Sequence, residues 1–458
     1  DGTDNVAIGW KAGRNVHGAQ KNVMIGYQAM ANIDNNPGDE IANCVAIGYQ
    51  AFLGSDNDST GTTTATNGTV AVGYKSLTAL TTGAGNTAIG HNSAKGITTG
   101  AENVVLGFEA LFSANGGESD NVVIGKHAGY YIDNDSADEN IIIGKGAGQG
   151  GTGDLSSCIV IGANALDATG SNNLTGTIAI GHQALTNNIN GVRNTVVGYQ
   201  GMLDGTGAGD NVAIGYEVLK EGTTSEQNTA VGTYSLGSNA AAALTGNANV
   251  AVGYKALYIQ QGVAHANTMV GYQAGDGITT GSQNTGIGAD VAFDVDAENQ
   301  TAIGFQATTD STNDIAIGNT SVDEIKGQVD FSTFSDKRIK KDVVDNDLGL
   351  NFINLLKPRK FKKVNPNEYP DGIRKPLDGQ DKEGNKFKWT DAQANKVWDG
   401  LIAQEVKEAI DKCGTTFSGW NEEKNSKQLL TYSTMVMPLI KAVQELSAKV
   451  EELEAKLK

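Results

Sequence analysis

One short phrase recurs throughout residues 1–334: Asn or Thr, then apolar–small–apolar–Gly, often followed by aromatic–polar–Ala. Asn5-Val6-Ala7-Ile8-Gly9, Cys44-Val45-Ala46-Ile47-Gly48-Tyr49-Gln50-Ala51 and Asn211-Val212-Ala213-Ile214-Gly215-Tyr216 are examples. Its glycine falls at 9, 26, 48, 73, 90, 107, 125, 144, 162, 181, 198, 215, 232, 253, 271, 288, 304 and 318, and the commonest step is 17 residues. A period this short predicts a solenoid, because no single unit can bury its own apolar face. Each phrase reads as a short strand, with two apolar side chains on one face and the small one on the other. The small residue is expected where neighbouring coils or chains come close, and the glycine at a tight bend or close backbone approach. Helix is disfavoured by Gly, Asn, Thr and Val in every unit. The expected class is mainly β: parallel coils, about one rung per repeat, followed by an α+β region.

Composition divides the chain near Ser335. Residues 1–334 carry 11 Lys and Arg against 32 Asp and Glu, whereas residues 335–458 carry 23 against 20. All five His (17, 91, 127, 182 and 265) lie in the first part. The acidic balance argues against nucleic acid, since phosphate binding needs concentrated Lys and Arg, and suits a soluble assembly. No run of about 18 apolar residues occurs, so no membrane-spanning helix is expected. The chain opens at Asp1 without Met or signal peptide, which leads us to expect an N-terminal region beyond it.

Chemistry within the repeats is thin. Cys44, Cys158 and Cys413 are too scattered for a disulfide framework or a zinc site. No two His share metal-site spacing, so surface positions are expected for them. Gly150-Gly151-Thr152-Gly153-Asp154 resembles a calcium-binding Gly/Asp repeat but occurs once and out of register. Paired acids for glycoside cleavage remain open, although nothing singles out a pair. Neither a cofactor nor a metal is expected. Longer steps insert Ile33–Ile41, Gly54–Gly68 and Gly237–Asn247 between rungs. Such insertions become loops on one face, either a binding face or tolerated drift.

The units of Asp1 to Gly318 resemble the head repeats of trimeric autotransporter adhesins, with a longer period than that family's common unit. The resemblance implies a left-handed parallel β-roll packed as a homotrimer. Residues 1–320 are read as this roll, and 321–334 as a connecting strand (Glu324-Ile325-Lys326-Gly327-Gln328-Val329) and linker.

Residues 335–458 carry the sharpest motifs. They are Ser335-Asp336-Lys337-Arg338-Ile339-Lys340, then Leu356-Lys357-Pro358-Arg359-Lys360-Phe361, then Gly400-Leu401-Ile402-Ala403-Gln404-Glu405-Val406. In this order they resemble the intramolecular chaperone domain of phage tailspikes and tail fibres, the endosialidase-type autopeptidase family. The resemblance implies a domain that drives trimer formation and then cuts the bond before its motif serine. Here that bond is Phe334–Ser335, with Ser335 and Lys340 as the catalytic dyad, Asp336 and Arg338 in support. The residue chemistry agrees: with no His after residue 334, a hydroxyl nucleophile needs another base, and a lysine is the available type. Ser335 Oγ would attack the adjacent carbonyl through a five-membered ring, which supplies proximity without a substrate pocket. Residues i and i+5 lie about 140° apart on a helix. Ser335 and Lys340 therefore meet only across a turn, or between chains. Without the rest of the domain, Ser335 would read as a helix N-cap followed by solvated lysines.

Tyr432, Val436, Leu439, Val443, Leu446, Val450, Leu453 and Leu457 alternate in steps of 4 and 3, the seam of a coiled coil over 436–458. Val at a with Leu at d favours dimers by the usual rule, so a trimer is expected here from the resemblance rather than from the seam. A helix packed within one chain is the alternative. Such repeats, prone to register slips, gain from a C-terminal template that sets stoichiometry first.

The expectation is a phage tail fibre or tailspike, a virion protein made in the host cytoplasm. Its expected partners are two copies of itself, other tail proteins and a bacterial surface receptor, glycan or protein. A polysaccharide-degrading tailspike and a bacterial trimeric adhesin are the rivals.

Overall fold

The computed structural model describes residues 2–457 apart from His17, 34–40, 55–65, Thr152, Asp154, 171–173, 238–242, Asp323, 329–330, 374–385, Phe387 and 424–425. The interiors of the three long insertions, and Thr152 and Asp154 of the Gly/Asp stretch, therefore lie outside the described residues. The chain forms two units, Asp1–Gly318 and Asn319–Lys458.

In the first unit each copy of the phrase is a three-residue strand, from Val6–Ile8 to Ile315–Ile317. These strands make one eighteen-stranded parallel sheet. Pairing is in register from copy to copy, as in Val212 with Thr229, Ala213 with Ala230 and Ile214 with Val231. One coil of chain thus returns each strand beside the last, and a β-solenoid results. A side ladder joins Leu155–Ser156 to Leu174–Thr175.

The middle residue of the strand points into the coil. Ala46, Ala71, Ala213 and Ala251 are fully buried, and the flanking Val and Ile face outward. So the small residue lies inside the coil, not where neighbouring chains meet. The interior is narrow, and several of the larger residues there face a missing side chain. A Cβ on Gly13 would lie 2.8 Å from Met24 Sδ, one on Gly275 2.8 Å from Met269 Sδ, and one on Gly148 3.3 Å from Ile142 Cδ1. Close packing of this kind makes volume, not identity, the constraint at each rung.

Close approach falls on the motif glycine. Gly215 has φ +148°, and a Cβ there would sit 2.4 Å from the Gly232 carbonyl oxygen of the next coil. Other corners use ordinary residues in the left-handed region: Gln200 (φ 51°), Met202 (φ 46°) and Asp210 (φ 58°) fall within one coil. Each such residue costs roughly 1–2 kcal/mol. Each also donates its N–H across to an adjacent coil, to His182, Val218 and Val192 carbonyls at 2.9–3.0 Å.

The Asn opening the phrase forms a buried ladder. The Asn211 backbone N–H and Nδ2 both donate to Asn194 Oδ1, at 3.0 and 3.1 Å, and Nδ2 also donates to the Ser225 carbonyl at 2.8 Å. Its own Oδ1 accepts the Asn228 N–H at 2.9 Å. Cys44 and Cys158 interrupt the ladder. Each still donates its N–H to the preceding Asn, and the Cys44 thiol donates to the Thr66 carbonyl at 3.3 Å. Burial pushes the Cys44 thiol up from its ordinary value.

The second unit is mixed. Helix α1 (Leu350–Leu355) precedes the strand Arg359–Lys362, which pairs antiparallel with Val397–Gly400. Helix α2 (Asp391–Asn395) starts at a Thr390/Gln393 capping box. Helix α3 (Ala403–Cys413) ends at Gly414 in the left-handed region. A hairpin, Trp420–Glu422 with Gln428–Leu430, leads to helix α4 (Val436–Leu457). The core is small: Leu348, Phe352, Val406, Ala409, Ile410 and Met435. Glu324–Gln328, expected within a connecting strand, is without a ladder and exposed. A strand needs a paired edge, and the described chain offers it none.

Candidate functional site: the turn at Ser335 and Lys340

Asp336 begins the local structure. Its carboxylate accepts the Arg338 backbone N–H at 2.8 Å and caps the single 3-10 turn Lys337–Ile339. The Arg338 guanidinium folds back onto the same carboxylate at 3.0 and 2.7 Å. This clamp holds the Asp336 carboxyl below the usual range and pushes Arg338 up. The cap is therefore Asp336 and not Ser335, which leaves the serine hydroxyl uncommitted to the turn.

Lys340 leaves the turn in an extended conformation, its N–H donating to the Lys337 carbonyl. Its side chain runs back so that Nζ donates to Ser335 Oγ at 2.7 Å. The two residues meet across a turn within one chain, one of the two arrangements their spacing allows. A short turn followed by extended chain escapes the angular mismatch of a helix. In its neutral form the same amine would present a lone pair to the hydroxyl. Asp336, tied to Arg338, is poorly placed to compete as a base.

The turn is open to water. Phe334 is 96% exposed, and no described residue hydrogen-bonds its carbonyl. Phe331, Ile339, Val343 and Val344 are bare as well. In one chain the turn thus joins a nucleophile type to a base type, without a wall or an oxyanion donor among the described residues.

The other two motifs meet each other. Arg359 places Nε and Nη2 on the two carboxylate oxygens of Glu405, at 3.1 and 2.5 Å, which holds that carboxyl below its usual range. Tyr432 Oη accepts the Leu401 N–H at 2.8 Å. A Cβ on Gly400 would lie 2.5 Å from that oxygen, so an alanine there would displace the tyrosine hydroxyl. Beside them opens a mostly apolar groove of about 480 Å³, lined among others by Leu356, Pro358, Leu401, Met435 and Leu439. Arg359 and Glu405 each lie within one of the two motifs. Opposite charges in two stretches 46 residues apart gave no register.

The proposed seam of α4 is unpaired in the single chain: Val436, Leu439, Val443, Leu446, Val450, Leu453 and Leu457 are 47–88% exposed. A neighbouring face packs within the chain, where Pro438 and Ala442 are buried and Glu445 accepts the Leu350 N–H at 2.8 Å.

The solenoid also carries a bare apolar face. Beside the outward Val and Ile runs a column of rings following the motif glycine. Trp10, Tyr27, Tyr49, Tyr74, His91 and Phe108 stack at 4.7–5.2 Å between centroids. His182, Tyr199 and Tyr216 stack likewise at 5.1–5.3 Å. Lys126, Lys145 and Ala163 occupy the column between the two stacks. Among the described residues no group of three or more His, Cys, Asp or Glu is disposed to hold a metal, and no helix is long and apolar enough to cross a membrane. Comparison with known protein families and with curated proteins gives no match to this chain.

Proposed function

We propose that this chain is the distal part of a homotrimeric phage tail fibre or tailspike that attaches to a bacterial surface glycan or protein. In this reading residues 335–458 form an intramolecular chaperone, trimerised through the α4 coiled coil. The chaperone releases itself by cleavage at Phe334–Ser335. The observation that carries the reading is the 2.7 Å contact of Lys340 Nζ with Ser335 Oγ, directly after the bond to be cut. Ser335 Oγ would add to the Phe334 carbonyl as Lys340 takes its proton. The Ser335 nitrogen then leaves, taking a proton, and water hydrolyses the resulting ester.

Two further features support a trimer. Seventeen rung spacings of about 4.8 Å make a face roughly 80 Å long. At about 10 Å wide it offers about 800 Å², near what one partner buries in a standard interface. Exposed apolar faces of this size mark association surfaces. The bare seam of α4 asks for partners in the same way.

Intact mass of the purified full chain, beside Ser335→Ala and Lys340→Ala, tests the cleavage. Fragments of 334 and 124 residues are expected from the wild type alone. A single full-length species in all three would overturn it, leaving at most a permanent trimerisation cap. Sedimentation of Ser335→Ala tests the trimer separately.

A further inference from the structure

The repeat supplies its own control for residues that the fold does not need. The fifth position after the motif glycine is Arg14, Thr78, Gln149, Asp167 or Lys220 in different coils, so the coil accepts almost any side chain there. In two successive coils that position is Phe112 and then Tyr130, and Tyr131 follows directly. Phe112 and Tyr130 stack at 5.0 Å with 10° between planes, whereas Tyr131 stands at 77° to Tyr130 with centroids 4.6 Å apart. Tyr131 is 49% exposed. Rings in the long column cover one another's faces, but two perpendicular rings leave an open corner.

Polar groups frame that corner. Lys95 Nζ lies 4.9 Å from the Phe112 centroid. His127 meets Tyr130 edge-on at 5.2 Å and reaches Glu109 at 3.3 Å through Nε2. Aromatic faces beside hydrogen-bonding groups match a pyranose, which has an apolar C–H face and a rim of hydroxyls. The surrounding charge selects among sugars. Residues 1–334 carry 32 acidic against 11 basic side chains, a field that repels polyanions.

We infer that Phe112, Tyr130 and Tyr131, with Lys95, His127 and Glu109 at the rim, form a binding site for an uncharged hexose unit of a surface glycan. This rests on the host-attachment reading and specifies its ligand class and contact residues. The test is an array of uncharged hexose oligosaccharides beside oligogalacturonates of equal length, probed with the full chain. Uncharged oligosaccharides should be retained, with a tenfold or greater loss for Tyr131→Ala and for Phe112→Ala. Tyr131→Phe, which keeps the ring, should bind within about threefold of wild type. Unchanged hydrogen-exchange protection of the neighbouring rungs would show that the variants are folded. Retention of acidic oligomers only, of none, or equal binding by Tyr131→Ala overturns the site. Adsorption of the full chain to a panel of bacterial strains reads the attachment proposal by itself. If strains are bound but Tyr131→Ala adsorbs as well as wild type, or protease and not periodate treatment of the cells abolishes adsorption, the attachment stands and the glycan site falls.

Discussion

The two units of this chain solve the problem of backbone satisfaction in opposite ways. In the solenoid every coil hydrogen-bonds to the next, through strands, left-handed corners and a buried Asn ladder. Its stability is therefore a sum of like neighbour terms. Unit Asn319–Lys458 instead has a core of a few residues and leaves many apolar side chains in water, Phe331, Phe334, Val343, Val344 and the α4 seam among them. Regularity lets a thin structure stand alone along its length. An irregular small domain with so little buried surface is expected to find the rest of its core in other copies.

Glycine substitution should break this contrast most strongly. Gly215→Ala drives a Cβ into the Gly232 carbonyl at a φ that side chains avoid, and should cost about 3–5 kcal/mol. Gly372→Ala, with open space around it, should cost close to nothing. Hydrogen exchange on the full chain would report lost protection in rungs 195–231 for the first and no change for the second. Equal effects would mean that coil-to-coil contact is not what requires the glycine.

Removing one ladder residue comes next. Asn211→Ala removes the donor to the Ser225 carbonyl and the acceptor of the Asn228 N–H inside the coil and should cost about 3 kcal/mol. Loss of protection should spread to both neighbouring rungs. If it stays within one coil, the ladder does not couple them.

On the other side of the comparison, Leu446→Glu should leave the fold of a single chain intact, because that side chain is exposed. Association should weaken by tenfold or more in sedimentation. An unchanged mass distribution would place the interface elsewhere.

The smallest effect concerns Glu118, a fully buried carboxyl in a column otherwise held by residues such as Gly83, Gly100 and Ala137. Burial, with a lesser contribution from Asp135, raises it above 4.5. Its stabilising share is thus complete below the ordinary value and is lost as pH rises through the folded value. Glu118→Gln should make the local rungs more resistant to denaturant at pH 7 and leave them unchanged near pH 3. A variant that is less stable at pH 7 would sink this account.

Much of the solenoid was legible because a repeat states its own period. Strand position, parallel pairing and the need for glycine follow from the phrase and its spacing. The second unit offered no period, so its motifs located segments without showing how they meet; the Arg359–Glu405 pair is the clearest case. For the candidate dyad, spacing excluded a regular helix and left a turn or a second chain. The Asp336–Arg338 clamp that forms the turn could not be read from residue types, because Ser335 was as good a cap as Asp336.

By itself the sequence determined that this chain coils, how often, and where each coil must lack a side chain. These are local demands, repeated until no other pattern satisfies them. Only the tertiary structure decided which face of the strand points inward. Alternation specifies two faces, and the space inside a coil admits an Ala, a Val or, opposite a glycine, a Met. It also decided that Lys340 reaches Ser335 within one chain, that the rings stack in two runs, and that Tyr131 turns out of line. The ring stacks depend on the paths of corners held by left-handed Gln, Leu and Met residues, whose conformation is imposed by the neighbouring coil rather than by their own preference.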